Sequence, residues 1–333
     1  MPDQITDRYE ARNIAEQNKL SRYVEETYRL FINEIAPLIA SGAPDIVINA
    51  RVDDLIREMR KDMSATFRQG IQRAWQLSNE KTFAFLDKRL RNTDIPDNVK
   101  AVFYDPNQKA MREFISRKEN GLNLSDRVWR SIKGTKKIIR KTLSDGIYEG
   151  KNAGSVARKL RAELLNPTTK VSAGQGVYSS PIKNAMRVAR TESNMAYRMA
   201  DHNAWKGNPI ILGYRISLSQ TQAAKVKARC ELCRQMVGDY PSDFVWRGWH
   251  PQCLCVKTPI TMSREFLDRY NELIVTGRDT KANIEALRKR AGAIGSPPAL
   301  LSQWVSTNRE RVAGWSSRPY WWNDNKKFID GFS

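Results

Sequence analysis

Apolar residues recur at three- and four-residue steps between Arg8 and Ile39, where Ile14, Leu20, Val24, Tyr28, Phe31, Ile35 and Leu38 share one face. That period predicts an amphipathic helix, ended by Ser41-Gly42-Ala43-Pro44. A longer run through Val52, Ile56, Met59, Met63, Phe67, Ile71, Ala74 and Leu77 predicts a helix that packs lengthwise against another. Pro96 and Pro106 punctuate a shorter connection, and Asn120-Gly121 marks the next break. Beyond it, Val128, Trp129, Ile132, Ile139 and Leu143 fit one helix, and Val156, Leu160 and Leu164 fit another before Asn166-Pro167. The first half therefore reads as nearly all α.

The Gly, Ser and Thr of Asn166 to Pro181 predict a loop or linker. From Pro181 to Trp205 the helical period returns, with Met186, Ala189, Met195, Ala196 and Met199 inward and Arg187, Arg190, Asn194 and Arg198 as a solvent-facing stripe. Ile210 to Ile216 and Cys255 to Ile260 are β-prone and short enough for strands. Glu265 to Tyr270 and Asn283 to Ala291 read as helices. The last ~35 residues hold Pro297-Pro298 and four tryptophans, Trp304, Trp315, Trp321 and Trp322, in an irregular setting. Aromatics at that density seek cover, as does the apolar seam from Val52 to Leu77. The expectation is that one of the two docks on another protein.

Charge narrows the class of partner. The 333 residues carry 56 Lys and Arg against 36 Asp and Glu, a formal net charge of +20, which implies polyanions such as nucleic acid. Arg130, Lys133, Lys137 and Arg140 stand at i, i+3, i+7 and i+10 in the helix expected between Arg127 and Lys141. They form either a solvated face or a nucleic-acid-binding one that contacts phosphates. No run approaches the roughly 20 apolar residues that span a bilayer. The first residues lack the basic and apolar regions of a signal peptide, so a soluble chain in a reducing cytoplasm is expected.

The strongest chemical signal is C-x2-C-x16-H-x2-C-x-C, formed by Cys230, Cys233, His250, Cys253 and Cys255. These are the only four cysteines and one of the two histidines. Two close thiol pairs brought together across a loop suit the tetrahedral cage of structural Zn²⁺. Two disulfides or four free thiols are the alternatives, although a Cys253 to Cys255 bridge would close a very tight ring. Four sulfurs are the favoured ligand set, with His250 as alternate ligand or outer partner. Because protein alone can fill four positions and no H-E-x-x-H or H-x-E pattern occurs, the metal reads as a staple rather than a hydrolytic centre. His202 ends a helix with only Asp201 beside it and reads as a surface histidine. P-loop, nucleophile elbow and G-x-G-x-x-G are all missing from the sequence, and enzymatic chemistry has almost no foothold.

A family resemblance adds to this reading. Leu143-Ser144-Asp145-Gly146, Gly150, Gly154-Ser155-Val156-Ala157-Arg158-Lys159-Leu160, Ala189-Arg190-Thr191-Glu192 with Ala196, and His202-Asn203-Ala204 come in that order. Cys230, Cys233, Trp249-His250-Pro251-Gln252-Cys253-Leu254-Cys255 and Pro259-Ile260 follow. Over about residues 135 to 260 the chain resembles the phage Mu F-like minor head proteins, also called phage head morphogenesis proteins. The resemblance implies a head component of a tailed bacteriophage, present in few copies and associated with the portal and packaged DNA. It implies a structural role for Arg190, Thr191 and Glu192, and a cysteine and histidine knot of Cys230, Cys233, His250, Cys253 and Cys255. Where the family shows a D-x-R-x-x-H or similar polar run after the strand, this chain has Arg215-Ile216-Ser217-Leu218-Ser219-Gln220.

The fold class expected is mainly α. A helical region at 1–120 leads into an α+β head-morphogenesis module with a zinc-stapled loop at 121–262, and helices with an irregular Trp-rich tail follow at 263–333. The function expected is that of a non-enzymatic minor head structural protein, which contacts portal or capsid protein and, without sequence preference, double-stranded DNA. Neither a membrane nor a small-molecule substrate is expected. Its place would be the virion, at the head interior or portal vertex, after assembly in the host cytoplasm. A zinc-containing nucleic-acid-binding regulator or nuclease is the alternative. The first needs base-specific contacts, and the second needs a general base and an open metal position.

Overall fold

The computed structural model describes residues 4–165, 180–219, 231–315 and 318–331. Helices α1 (Gln4–Ala40) and α2 (Asp45–Leu90) follow the two long apolar periods and overrun both. Short helices α3 (Asp97–Val102) and α4 (Gln108–Ser116) occupy the proline-punctuated connection. Then come α5 (Leu124–Ile132), α6 (Gly134–Tyr148), α7 (Ala153–Leu165) and α8 (Pro181–Trp205). The chain continues through β1 (Ile211–Ser217), α9 (Glu231–Gln235), β2 (Gly238–Tyr240) and β3 (Val256–Thr261). It closes with α10 (Arg264–Val275), α11 (Lys281–Arg290), α12 (Ala299–Ala313), α13 (Tyr320–Asp324) and α14 (Lys326–Ile329). The protein is thus mainly helical with one small antiparallel sheet, as its periodicity predicts.

Three differences from the periodicity have local causes. The helix expected from Val128 to Leu143 is two, because α5 ends at Ile132 and α6 restarts at Gly134. An Asn123 and Asp126 capping box fixes the start of α5. In the tail, Pro297-Pro298 does not lead into irregular chain: Pro298 stands just before the first turn of α12, where a missing N–H costs nothing. The three-residue β2 escapes any period because it is too short to alternate. The linker expected at 166–181 lies mostly outside the described residues.

The sheet has the order β2-β1-β3, with Tyr214 opposite both Tyr240 and Pro259. Pro259 is tolerated because β3 is an edge strand. Gly213 is required at its position, since a Cβ there would come within 2.6 Å of the Tyr240 carbonyl oxygen and 2.7 Å of Ile294.

The compact units do not follow the three chain-order segments. One comprises residues 1–14, 72–112 and 194–333, the other 15–71 and 113–193, so α1, α2 and α8 each contribute to both. The first unit holds the sheet and the tail, with Leu86, Trp205, Tyr214, Tyr240, Trp246 and Trp321 in its core. Two of its helices are joined by a buried ion pair, in which the Lys81 ammonium lies 2.7 Å from Asp201 Oδ2 while Ser78 donates to Oδ1 at 2.7 Å. The second unit packs α6 on α7 closely enough that a Cβ on Gly146 would come within 2.6 Å of Val156. The Tyr28 hydroxyl meets the Thr135 hydroxyl at 3.0 Å inside it.

Both surfaces expected to seek an outside partner are covered by the chain itself. Every seam residue named between Val52 and Leu77 is buried, and so are Trp321 and Trp322, while Trp304 is half-buried. Of the four tail tryptophans only Trp315 is exposed. No helix among the described residues is long and apolar enough to cross a membrane.

Glu192 of the Ala-Arg-Thr-Glu motif is the polar centre of the second unit. Its carboxylate, 4% exposed, accepts from Arg117 Nη2 at 2.8 Å and from Arg127 Nε and Nη2 at 2.8 and 3.0 Å. Arg190 of the same motif donates to the Ser21 hydroxyl at 2.8 Å. Removing one member of a buried charge network leaves the others desolvated and uncompensated. Glu192→Gln should therefore cost about 3–5 kcal/mol in urea unfolding. An effect below 1 kcal/mol would show that the two guanidiniums are hydrated without it.

Candidate functional site

A tight turn brings the histidine and one cysteine together. Cys253 N–H donates to the His250 carbonyl at 3.1 Å, with Pro251 second in the turn and Gln252 third at φ 60°. Proline pre-sets the second position of such a turn, and positive φ at the third is its signature. Cys233 arrives on α9. The Cys233 Sγ, Cys253 Sγ and His250 ligand atoms all lie within 4.8 Å of one another, so this group can hold a metal ion. The two sulfurs are 3.8 Å apart, and His250 Nε2 is 3.2 Å from Cys233 Sγ. A tetrahedron with metal–sulfur bonds of about 2.3 Å has sulfur–sulfur edges of about 3.8 Å, so the donors fit a metal of that size.

His250, expected as alternate ligand or outer partner, lies within the group that can hold a metal. Its Nδ1 sits 2.8 Å from the Pro251 carbonyl, which can only accept, so Nδ1 carries the proton and Nε2 keeps its lone pair toward the thiols. Cys255 is buried nearby and its titration is linked to that of Cys233 and Cys253, but the three ligand atoms that lie together are those of Cys233, His250 and Cys253. Cys230 lies outside the described residues. Cys233, Cys253 and Cys255 are free thiols, so no Cys253 to Cys255 bridge forms.

The three thiols titrate as a set. Hydrogen bonds with Cys253 and then Cys255, helped by burial, hold Cys233 well above the usual thiol range. At Cys255 the hydrogen bond with Cys233 favours the thiolate, but Cys253 and burial outweigh it and the thiol is raised. Burial opposes charge at Cys253 too, yet the interactions with Cys233 and Cys255 and the nearby Arg198 guanidinium bring it well below the usual range. No carboxylate joins the ligand group among the described residues.

Aromatic rings wall the site. Trp249 packs on Tyr240, Trp246 and, edge-on, Trp321, at centroid distances of 5.8, 6.0 and 5.4 Å. The tail also grips the loop by its backbone: Trp321 Nε1 donates to the Trp249 carbonyl at 3.2 Å, and Asn325 bonds both the N–H and the carbonyl of Val245 at 2.7 and 2.8 Å. Asp324 pairs with Arg247 at 2.8 Å. From α8, Asn194 and Arg198 donate to carbonyls of the ligand loop. These are the residues that sequence reasoning missed, since it set Asn194 and Arg198 on a solvent stripe, whereas both are buried. A stripe of two polar residues one turn apart with no acid between them was the available signal.

The four predicted phosphate-contacting cations are placed differently. Arg130 ends on α5, Lys133 caps it, and Lys137 and Arg140 lie on α6, so the i, i+3, i+7, i+10 spacing crosses a helix break. All four are exposed. Arg140 Nε donates to Asn49 Oδ1 at 3.1 Å. Between Leu124 and Leu165 stand eleven Lys and Arg against four Asp and Glu.

Comparison with models of known protein families, with curated proteins and with solved structures found no match.

His202 is not a surface residue: it is 4% exposed. Burial, with smaller contributions from Lys257, Lys206 and Lys327, pushes its pKa from the ordinary 6.5 down to about 3. The folded protein holds the neutral ring, so its stabilising share is full above pH 6.5 and is lost as pH falls toward 3. His202→Asn should flatten the acid-side decline in that window by up to about 1.4 kcal/mol per pH unit, read by urea unfolding at stepped pH. Parallel curves for variant and wild type would refute a neutral buried ring.

Proposed function

We propose that this chain is a minor head structural protein of a tailed bacteriophage, in which a zinc ion staples the Cys-His loop and the basic helices α5 to α7 lie against packaged DNA. The observation that carries the reading is the cluster of Cys233, His250 and Cys253, whose ligand atoms lie together beside the buried Cys255 and behind the chain's own aromatic rings. Soft thiolates with one imidazole are donors that suit Zn²⁺. Cys233, Cys253, Cys255 and His250 Nε2 would fill four positions and leave none for a reacting water. Bound there, zinc would supply cross-linking of the loop to α9 and the sheet. The motif resemblance to Mu F-like proteins supplies the phage context, and the exposed cations of α5 to α7 support contact with a polyanion. A portal or capsid partner agrees with that context.

Elemental analysis of protein purified without added metal should find about one zinc per chain. Cys233→Ser and His250→Ala should lower it. A native chain with free thiols and no metal would overturn the zinc reading.

For DNA, log affinity for linear duplex should fall with log salt by about 0.9 per phosphate contacted, whatever the sequence. Replacing Arg130, Lys133, Lys137 and Arg140 by Gln should flatten that slope, and an unchanged slope assigns the four to solvent. Mass spectrometry of purified phage particles tests the head role directly, since a structural component must be found in them.

A further inference from the structure

We infer that Arg198 is a positioning residue and the counter-charge of the metal cluster, an inference that rests on the zinc reading above. Arg198 is 4% exposed, and its guanidinium lies over the Trp246 ring at 4.3 Å. Nη1 donates to the Arg247 carbonyl at 3.2 Å, and Nη2 donates to the carbonyls of Cys253 at 2.7 Å and Cys255 at 2.8 Å. One turn earlier on α8, Asn194 donates to the same Cys253 carbonyl at 2.8 Å. The two side chains hold the backbone of two sulfur ligands from one direction. Gly248 makes the approach possible: it sits at φ +115°, and a Cβ there would come within 2.4 Å of Arg198 Nη1.

Carbonyls satisfy the donors of a guanidinium without cancelling its charge, and an uncompensated buried cation is costly. Asp201 is bound by Lys81 and Ser78, and Glu10, whose pKa burial raises to about 7, is shared between Lys81 at 4.0 Å and Arg198. The cluster supplies the further counter-charge. Three thiolates and one neutral imidazole around a divalent ion carry a net charge of −1, which a single guanidinium balances.

The test uses the full chain, with zinc affinity read by competition with a chromophoric chelator and with cobalt substituted for its sulfur-to-metal charge-transfer bands. Arg198→Gln keeps donors and loses charge, and it should weaken zinc binding about 10- to 100-fold, as loss of a partner behind the ligands typically does. Arg198→Lys keeps the charge and loses the planar fork, so it should recover part of that loss. The cobalt bands should move to lower energy in Arg198→Gln, because sulfur electrons lose a stabilising cation. They should stay in place in Asn194→Ala, which removes only a neutral donor. Gly248→Ala, which leaves Arg198 in the chain but displaces its guanidinium, should behave as Arg198→Gln does.

Equal zinc affinities for the Gln and Lys variants, or unmoved bands in Arg198→Gln, would overturn the counter-charge role. A wild type that holds no zinc overturns the metal reading itself. A wild type that binds zinc no more tightly than Arg198→Gln overturns this inference alone.

Discussion

A single guanidinium set on backbone carbonyls organises the loop that carries the candidate metal ligands. Arg198 reaches the carbonyls of Arg247, Cys253 and Cys255 at once, and a planar fork of donors is what allows one side chain to hold three acceptors. Those carbonyls belong to a loop with little regular secondary structure between β2 and β3. A loop without a hydrogen-bond ladder must find other partners for its buried backbone groups. Here they come from α8 on one side and from Trp321 and Asn325 on the other. The ligand geometry is therefore held by residues that do not themselves bind metal, which is the usual way such sites are oriented.

The same helix shows how charge is accommodated in a core. Glu192 lies between two arginines, Asp201 takes Lys81 and Ser78, and Arg198 takes carbonyls and an indole face. The Lys257 ammonium makes no hydrogen bond among the described residues, has Asp201 only at a distance, and lies over the rings of Trp205 and Tyr214, at 4.8 and 4.0 Å. Its pKa falls to about 7, chiefly through burial. Ring faces attract cations but do not neutralise them, so this lysine bears the weakest compensation of the four.

The tail changes meaning once its contacts are known. Four tryptophans in about 35 residues suggested a sticky surface, but Trp321 and Trp322 are core residues and Asp324 and Asn325 are tethers of the Cys-His loop. Only Trp315 remains exposed, beside a cavity of about 600 Å³ that it lines with Leu300, Trp304 and Arg311. The tail is thus a lid over the sheet end of its own unit, packed by aromatic contacts such as Trp304 on Trp321 at 5.6 Å.

What the sequence determined by itself was whatever depends on residue type and short spacing. The periods of α1 and α2, the strands β1 and β3, and the grouping of Cys233, His250 and Cys253 were legible because helical period, β-propensity and thiol chemistry act over a few residues. The break at Gly134 was legible in principle but was masked by a cation spacing that runs through it. Tertiary structure alone decided which polar residues are inside. Arg198, Asn194 and His202 have the spacing of a solvent stripe, and they are buried because loop and tail residues far along the chain pack over α8. The partners of Arg198 lie 49 to 57 residues away in sequence. Local patterning cannot carry that information, because a polar side chain looks the same along the chain whether its partner is water or a distant carbonyl.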